Sequence, residues 1–227
     1  MNTSDFFSSR REFMQTLAIG TTGLVAGVSS TPAVAGGGGS SSELGIQAEA
    51  WIKKVKGKHR IIYDATEPHD GFPIIWSWAF YKTNNETGSP DSDLTAMVVL
   101  RHNAIPLAME DRLWEKYKFG EMFKITDMTT NAPALRNPYW TPTDGPFKAL
   151  GIDGMKRLQE RGVMFCVCDL ALTVYSMRAA QSIGVNAEEV KKDWLSGLNP
   201  GVQPVPSGVW AVNRAQERGC SYCYAGG

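Results

Sequence analysis

Residues 163–184 read VMFCVCDLALTVYSMRAAQSIG, and two periods meet inside them. Val163 to Cys168 is apolar on both faces, as in a central strand of a parallel sheet. From Asp169 onward the spacing becomes helical. Leu172, Tyr175, Ala179 and Ile183 form one stripe, Asp169 is placed to cap its start, and Gly184 ends it. Outward in both directions, strand-length apolar runs alternate with helical patterns, the signature of an α/β fold with a parallel sheet covered on both faces. Upstream, Arg60 to Tyr63 predicts a first strand, and Pro73 opens a helix carrying Ile74, Ile75, Trp78 and Ala79 before a turn region at Asn84–Ser92. Thr95 to Leu100 predicts a second buried strand. Pro106 is expected to open a further helix with Leu113, Trp114 and Tyr117, stopped at Gly120. Met122 to Thr126 reads as a short third strand, and a helix is expected from about Ile152 to Arg161. Downstream, Asn186 with Glu189 resembles a capping box for a helix reaching Leu198. Val202 to Val205 predicts a short strand, Gly208 to Arg218 a helix, and Ser221 to Ala225 a terminal strand.

The pattern lapses from Asp127 to Gly151, where Pro133, Pro138, Pro142 and Pro146 alternate with Arg136, Tyr139, Trp140 and Phe147. A structureless segment of that length is uncommon inside a compact domain. Two readings weigh equally: a lid, binding loop or partner-contacting arm, and a surface loop pinned by its aromatic residues.

The amino-terminal segment carries an address. Ser9-Arg10-Arg11-Glu12-Phe13-Met14 is a paired arginine before a large apolar residue. A weakly apolar stretch follows from Leu17 to Val28, diluted by glycines, and Ala33-Val34-Ala35 supplies small residues for cleavage. The order predicts a twin-arginine signal peptide over residues 1–35, read by the twin-arginine translocase and cut by signal peptidase. A spanning helix wants roughly 20 predominantly apolar residues, so no stable membrane span is expected after cleavage. A retained tether is the alternative. The expected location is periplasmic or extracellular. Residues 36–57, opening on GGGGSSS, read as a flexible linker and lead-in, and 58–227 as one α/β domain.

Charge is balanced, with 23 basic and 23 acidic residues. Removal of the signal takes two of each sign, so the remainder stays neutral, and no basic excess argues for nucleic acid or anionic lipid. Hydrophobic residues make up 43% of the chain, ample for a core without disulfide staples. The four cysteines, at 166, 168, 220 and 223, therefore set function against structure in an oxidising compartment.

Cys168 stands out. It ends a buried strand just before a helix, where ligands bind in open α/β sheets and where a helix N-terminus favours the thiolate. The adjacent Asp169 opposes that shift. The bland reading is a small buried hydrophobe. Cys166, two residues earlier on the same face and roughly 6.6 Å away along the strand, reads as core. Cys220-Ser-Tyr-Cys223 has CxxC spacing and admits a redox pair, half of a metal site, or unrelated thiols. A disulfide within that pair, or from one of them to Cys168, leads among these. A metal is unknown from the residues alone, since only His59, His69 and His102 are available beside the thiols. Arg101 and His102 lie at the end of the second strand, where Arg101 offers a fixed charge to an anion. With that strand two places from the one ending at Cys168, the two ends would lie roughly 9.6 Å apart and face one small ligand. His69, in the loop after the first strand, is a minor candidate. Phosphate-loop, dinucleotide, nucleophile-elbow and zinc-protease motifs are all missing.

The stretch Gly162-Val-Met-Phe-Cys-Val-Cys168-Asp-Leu-Ala, then Val205-Pro206-Ser207-Gly208-Val209 and Arg214-Ala215-Gln216-Glu217-Arg218-Gly219, resembles the DsrE/DsrF-like family, in particular its exported branch with twin-arginine signals. The Val98-Val99-Leu100-Arg101-His102 segment fits that branch too. The resemblance implies a three-layer α/β/α sandwich with a mainly parallel five-stranded sheet, and frequent homo-oligomers. It also implies sulfur relay as a persulfide on the cysteine that Cys168 matches. The Cys220/Cys223 pair is not part of the family's pattern. Two functions from different classes follow. One is sulfane-sulfur or thiol redox chemistry at Cys168, with Arg101 and His102 orienting an anionic sulfur species and Cys220 or Cys223 resolving the product. The other is a non-enzymatic module that binds a small ligand, metal or haem, or serves as an accessory subunit of an oligomeric assembly. Neither substrate nor cofactor is named by the residues.

Overall fold

The sheet is built from five short segments, of which β-branched and apolar residues dominate the central ones. A computed structural model describes residues 41–226; the segment read as a signal peptide and its cleavage site lie outside those residues, as do Gly36–Gly39 and Ser40. Strands β1 (His59–Ala65), β2 (Leu94–Leu100), β3 (Met164–Cys168), β4 (Gln203–Val205) and β5 (Ser221–Tyr224) pair in the order β4-β3-β2-β1-β5. All four pairings are parallel. β2 is buried at every position, which is why TAMVVL shows no alternation. The expected α/β fold is present: a parallel five-stranded sheet between two helical layers.

One layer holds α1 (Ser41–Ile52) and α9 (Gly208–Glu217), whose Ala48, Trp51, Ile52, Ala211 and Ala215 cover Ile62, Met97, Val99 and Cys166. The other holds α2 (Phe72–Glu86), α3 (Asp111–Tyr117), α4 (Phe119–Met122), α5 (Gly145–Leu150), α6 (Met155–Arg161), α7 (Asp169–Ile183) and α8 (Ala187–Ser196). It buries Tyr63, Val98, Leu100, Phe165 and Val167 under Ile74, Tyr81, Trp114, Tyr175 and Trp194. Connections from β1 to β4 all cross this second layer, and only the last, through α9, crosses the first. Adjacent strands β3 and β4 therefore send their chains to opposite faces. That divergence is a topological switch point, where open α/β sheets form their crevice.

Several expectations need correcting. Residues 41–52 are not linker but a helix docked on the sheet, with Ala48 and Ile52 fully buried, so the domain begins well before residue 58. No strand forms over Met122–Thr126. Met122 ends α4, Phe123 and Ile125 are buried in irregular chain, and Thr126 makes a lone antiparallel bridge to Pro133. Pro106 lies inside a 3-10 turn spanning His102–Ala108, and α3 starts later. α3 ends at Lys118, in left-handed conformation, instead of at Gly120. Gly120 is needed for another reason: a Cβ there would sit 2.2 Å from the backbone nitrogen of Ala134.

That contact fixes the long segment 127–151, which is pinned and partly regular. Asn137 is buried and donates to the carbonyls of Leu107 and Met109 at 2.8 and 3.0 Å. Tyr139 and Phe147 are buried against each other and against Gly71, whose missing Cβ makes room for them. Of its two readings, the pinned loop fits this arrangement. The Pro73 start and the Asn186 cap fare better. Pro73 sits at the start of α2, and Asn186 Oδ1 accepts the N–H groups of Glu188 and Glu189 at the head of α8.

Candidate functional site

Strand β3 runs straight into α7, so Cys168 is both the last strand residue and the helix N-cap. Its Sγ accepts the Ala171 N–H at 3.3 Å. The expected cap, Asp169, instead forms an ion pair with Lys191 of α8 at 2.9 Å. Ser207 closes the short segment after β4 and caps α9 by accepting the Trp210 N–H. The head of α9 thus lies across the crevice from the same sulfur, and the Gly208 N–H and the Leu170 N–H of α7 both draw the Cys168 pKa down. Two helix N-termini thus converge on Cys168 from opposite layers. Burial pushes the Cys168 thiol up, the N–H groups of Ala171, Gly208 and Leu170 draw it back, and Asp169 adds to the rise; the net displacement is upward. The side chain is 6% exposed.

Cys166 and Cys168 part company. Cys166 is fully buried beneath α1 and α9, and burial holds its thiol well above the usual range. Cys168 packs with the α7 layer, because the strand ends there and its backbone turns into the helix. The expectation that both face one way applies to an unbroken strand.

β2 and β3 are adjacent, not two places apart. Leu100 pairs with Val167, which sets Arg101 beside Cys168 one residue further on. The Arg101 guanidinium forms a two-pronged pair with Asp64, Nε to Oδ1 at 2.6 Å and Nη2 to Oδ2 at 2.9 Å. Tyr222 donates to the same carboxylate at 3.0 Å. The Asp64 hydrogen bonds hold the guanidinium charged, with a smaller contribution from Cys168. Gly208 makes this possible, since a Cβ on it would lie 2.5 Å from Arg101 Cδ.

His102 goes elsewhere. Its backbone is left-handed (φ 53), which swings the ring away from the crevice, edge-on to Tyr175 and 3.4 Å from Glu67. His102 and Cys168 therefore do not face a common ligand. His69 lies with it on that side, bonded to the Tyr224 hydroxyl at 3.0 Å. All four cysteines are free thiols, so the expected disulfides are absent. Cys220, just before β5, packs with the α9 layer, and Cys223, within β5, packs with the opposite one. β5 lies three strands from β3, roughly 14 Å at the usual strand spacing, which separates both from Cys168. Among the described residues no group of three or more His, Cys, Asp or Glu side chains is arranged to hold a metal ion.

Asp64 and Tyr222 went unremarked in the sequence, and Gly208 was read only as the start of a helix and as part of the Val205–Val209 motif. A charged residue directly after the apolar Ile61-Ile62-Tyr63 run was the available signal for Asp64.

Site and fold together define an α/β protein of the switch-point type, with a capped cysteine in its crevice. No family model and no curated protein matches the chain. Among solved structures, a protein of unknown function from Methanobacterium thermoautotrophicum is similar. It is 15% identical, and the match covers 73% of this chain and 98% of that one at a TM-score of 0.38.

Proposed function

We propose that the protein carries sulfur on Cys168, accepting a sulfane sulfur atom to form a persulfide in the crevice between β3 and β4. The observation that carries this reading is the convergence of two helix N-termini on one sulfur atom. Backbone N–H groups fixed in this way stabilise an anion without reorganising. A persulfide is more acidic than a thiol, so an anion forms beside these N–H groups more readily once the sulfur is bound. In the transfer, the Cys168 thiol loses its proton and the sulfur attacks the outer sulfur of a donor such as thiosulfate. One S–S bond forms on the protein, one breaks in the donor, and sulfite leaves with the electron pair. Arg101 adds fixed positive charge beside the sulfur, with Asp64 holding it in place. His102, Cys220 and Cys223 have no part in this step.

The resemblance to the DsrE/DsrF-like family supports the same reading, and the twin-arginine signal would place the protein outside the cytoplasm. Assembly into homo-oligomers belongs to that proposal as well. The test is intact mass after treating reduced protein with thiosulfate or polysulfide. A gain of one sulfur atom by the wild type, lost in Cys168→Ser, is the expected result; equal gain by both rejects the assignment.

A further inference from the structure

A second cleft, of about 410 Å³, opens at the carboxyl ends of β1 and β2 on the α7 side of the sheet. Its volume is in the range of small-molecule sites. One wall comes from the turn after β1 and carries Glu67, His69 and Asp70; the other comes from the chain after α4 and carries Met122, Lys124 and Ile125. Phe123 and Tyr139 are buried along it.

Two features separate this cleft from an ordinary surface depression. His69, Asp70 and Lys124 line it with left-handed backbone, at φ 41, 49 and 54, and the neighbouring His102 shares that conformation at φ 53. Such conformations cost free energy in residues other than glycine and gather at ligand sites. Glu67 is also oriented from behind. Tyr175 donates to Asn103 Oδ1 at 2.6 Å, and Asn103 Nδ2 donates to both Glu67 oxygens at 2.9 and 3.0 Å, with His102 alongside. Burial alone would raise the Glu67 pKa; the hydrogen bonds from His102 and Asn103 outweigh it and lower it. A carboxylate accepts about four hydrogen bonds, so oxygen lone pairs remain for a donor in the cleft.

The charges are divided between the walls. Glu67 and Asp70 stand on one side and Lys124 on the other, and among the described residues neither Asp70 nor Lys124 takes part in an ion pair. Between them lie apolar and aromatic side chains. We infer that the cleft binds a small zwitterion with an apolar side chain, an α-amino acid in chemical class. The ammonium meets Glu67 and Asp70, the carboxylate meets Lys124, and the side chain lies along Met122, Phe123 and Ile125. This site is independent of sulfur chemistry at Cys168, and Cys168→Ser is expected to leave it unchanged.

Calorimetry on the whole protein tests this with L-leucine, L-methionine and L-phenylalanine, each beside its decarboxylated amine and its deaminated acid. At least one amino acid should bind about tenfold more tightly than its amine and its acid, the worth of one charged hydrogen bond. Lys124→Met, at an exposed position, should erase the preference over the amine, and Glu67→Gln the preference over the acid. Absence of binding by all three amino acids overturns the inference. So does equal affinity for amine and amino acid, or either preference surviving in its variant.

Discussion

Arg101→Met isolates the contribution of the charged pair beside Cys168. Methionine keeps an unbranched stem beneath Gly208 while removing the guanidinium. Asp64, whose side chain is 5% exposed, then keeps only the Tyr222 hydroxyl at 3.0 Å. Two charge-assisted hydrogen bonds are lost, each of the order of 1.5–3 kcal/mol. Arg101 is 28% exposed, so water already screens the pair and the lower end applies, giving a loss of about 3 kcal/mol. Most of that is the cost of leaving the Asp64 charge buried and unpaired. Adding Asp64→Asn to Arg101→Met should therefore recover about half of it. Urea unfolding at neutral pH reads both values from midpoints at constant slope. A loss below about 1 kcal/mol for the single variant, or a double variant no more stable than the single, refutes the reasoning.

Three further predictions concern other parts of the molecule. Asp193 accepts from Arg112, Lys116 and Tyr117 at 2.6–2.7 Å; burial alone would raise its pKa, but these donors lower it to about 2. A depressed carboxylate stabilises the fold above its unfolded value of about 3.9 and stops doing so as pH falls through about 2. Asp193→Asn should thus cost about 1 kcal/mol at neutral pH after solvent screening, with the difference vanishing in acid; urea titrations at several pH values check it. Because burial raises the Cys168 pKa, its alkylation by iodoacetamide should still be accelerating above the ordinary thiol value of about 8.5; a plateau below that, read by peptide mass spectrometry, contradicts the burial argument. Gly120→Ala would drive a Cβ into the Ala134 backbone, costing about 2 kcal/mol or more, and limited proteolysis should then cut within 127–151, which stays intact if the glycine is incidental.

The periodicity of residues 163–184 carried the fold because β3 is buried and Leu172, Tyr175 and Ala179 of α7 are buried as their spacing shows, although Ile183, the last residue of that stripe, is exposed. TAMVVL and the Asn186 cap were legible on the same grounds. Residues 41–52 were not, since SSELGIQAEAWI follows a glycine run and its buried face rests on Ala48, Trp51 and Ile52 alone. The site was half legible. Cys168 and Arg101 could be found because both end strands, but their adjacency required the strand order, which no local pattern encodes. His102 was misplaced by a single left-handed residue, and the second helix start at Gly208 became meaningful only once α9 was seen to cross the opposite face.

The most direct measurement of the central claim is where sulfur lands when all four thiols compete. Cys223 is the most accessible thiol, whereas Cys168 is nearly buried. If the paired helix N-termini stabilise an anionic sulfur, limiting polysulfide followed by peptide mass spectrometry will find the persulfide predominantly on Cys168. Sulfur distributed by exposure, with Cys223 ahead of Cys168, would contradict the account.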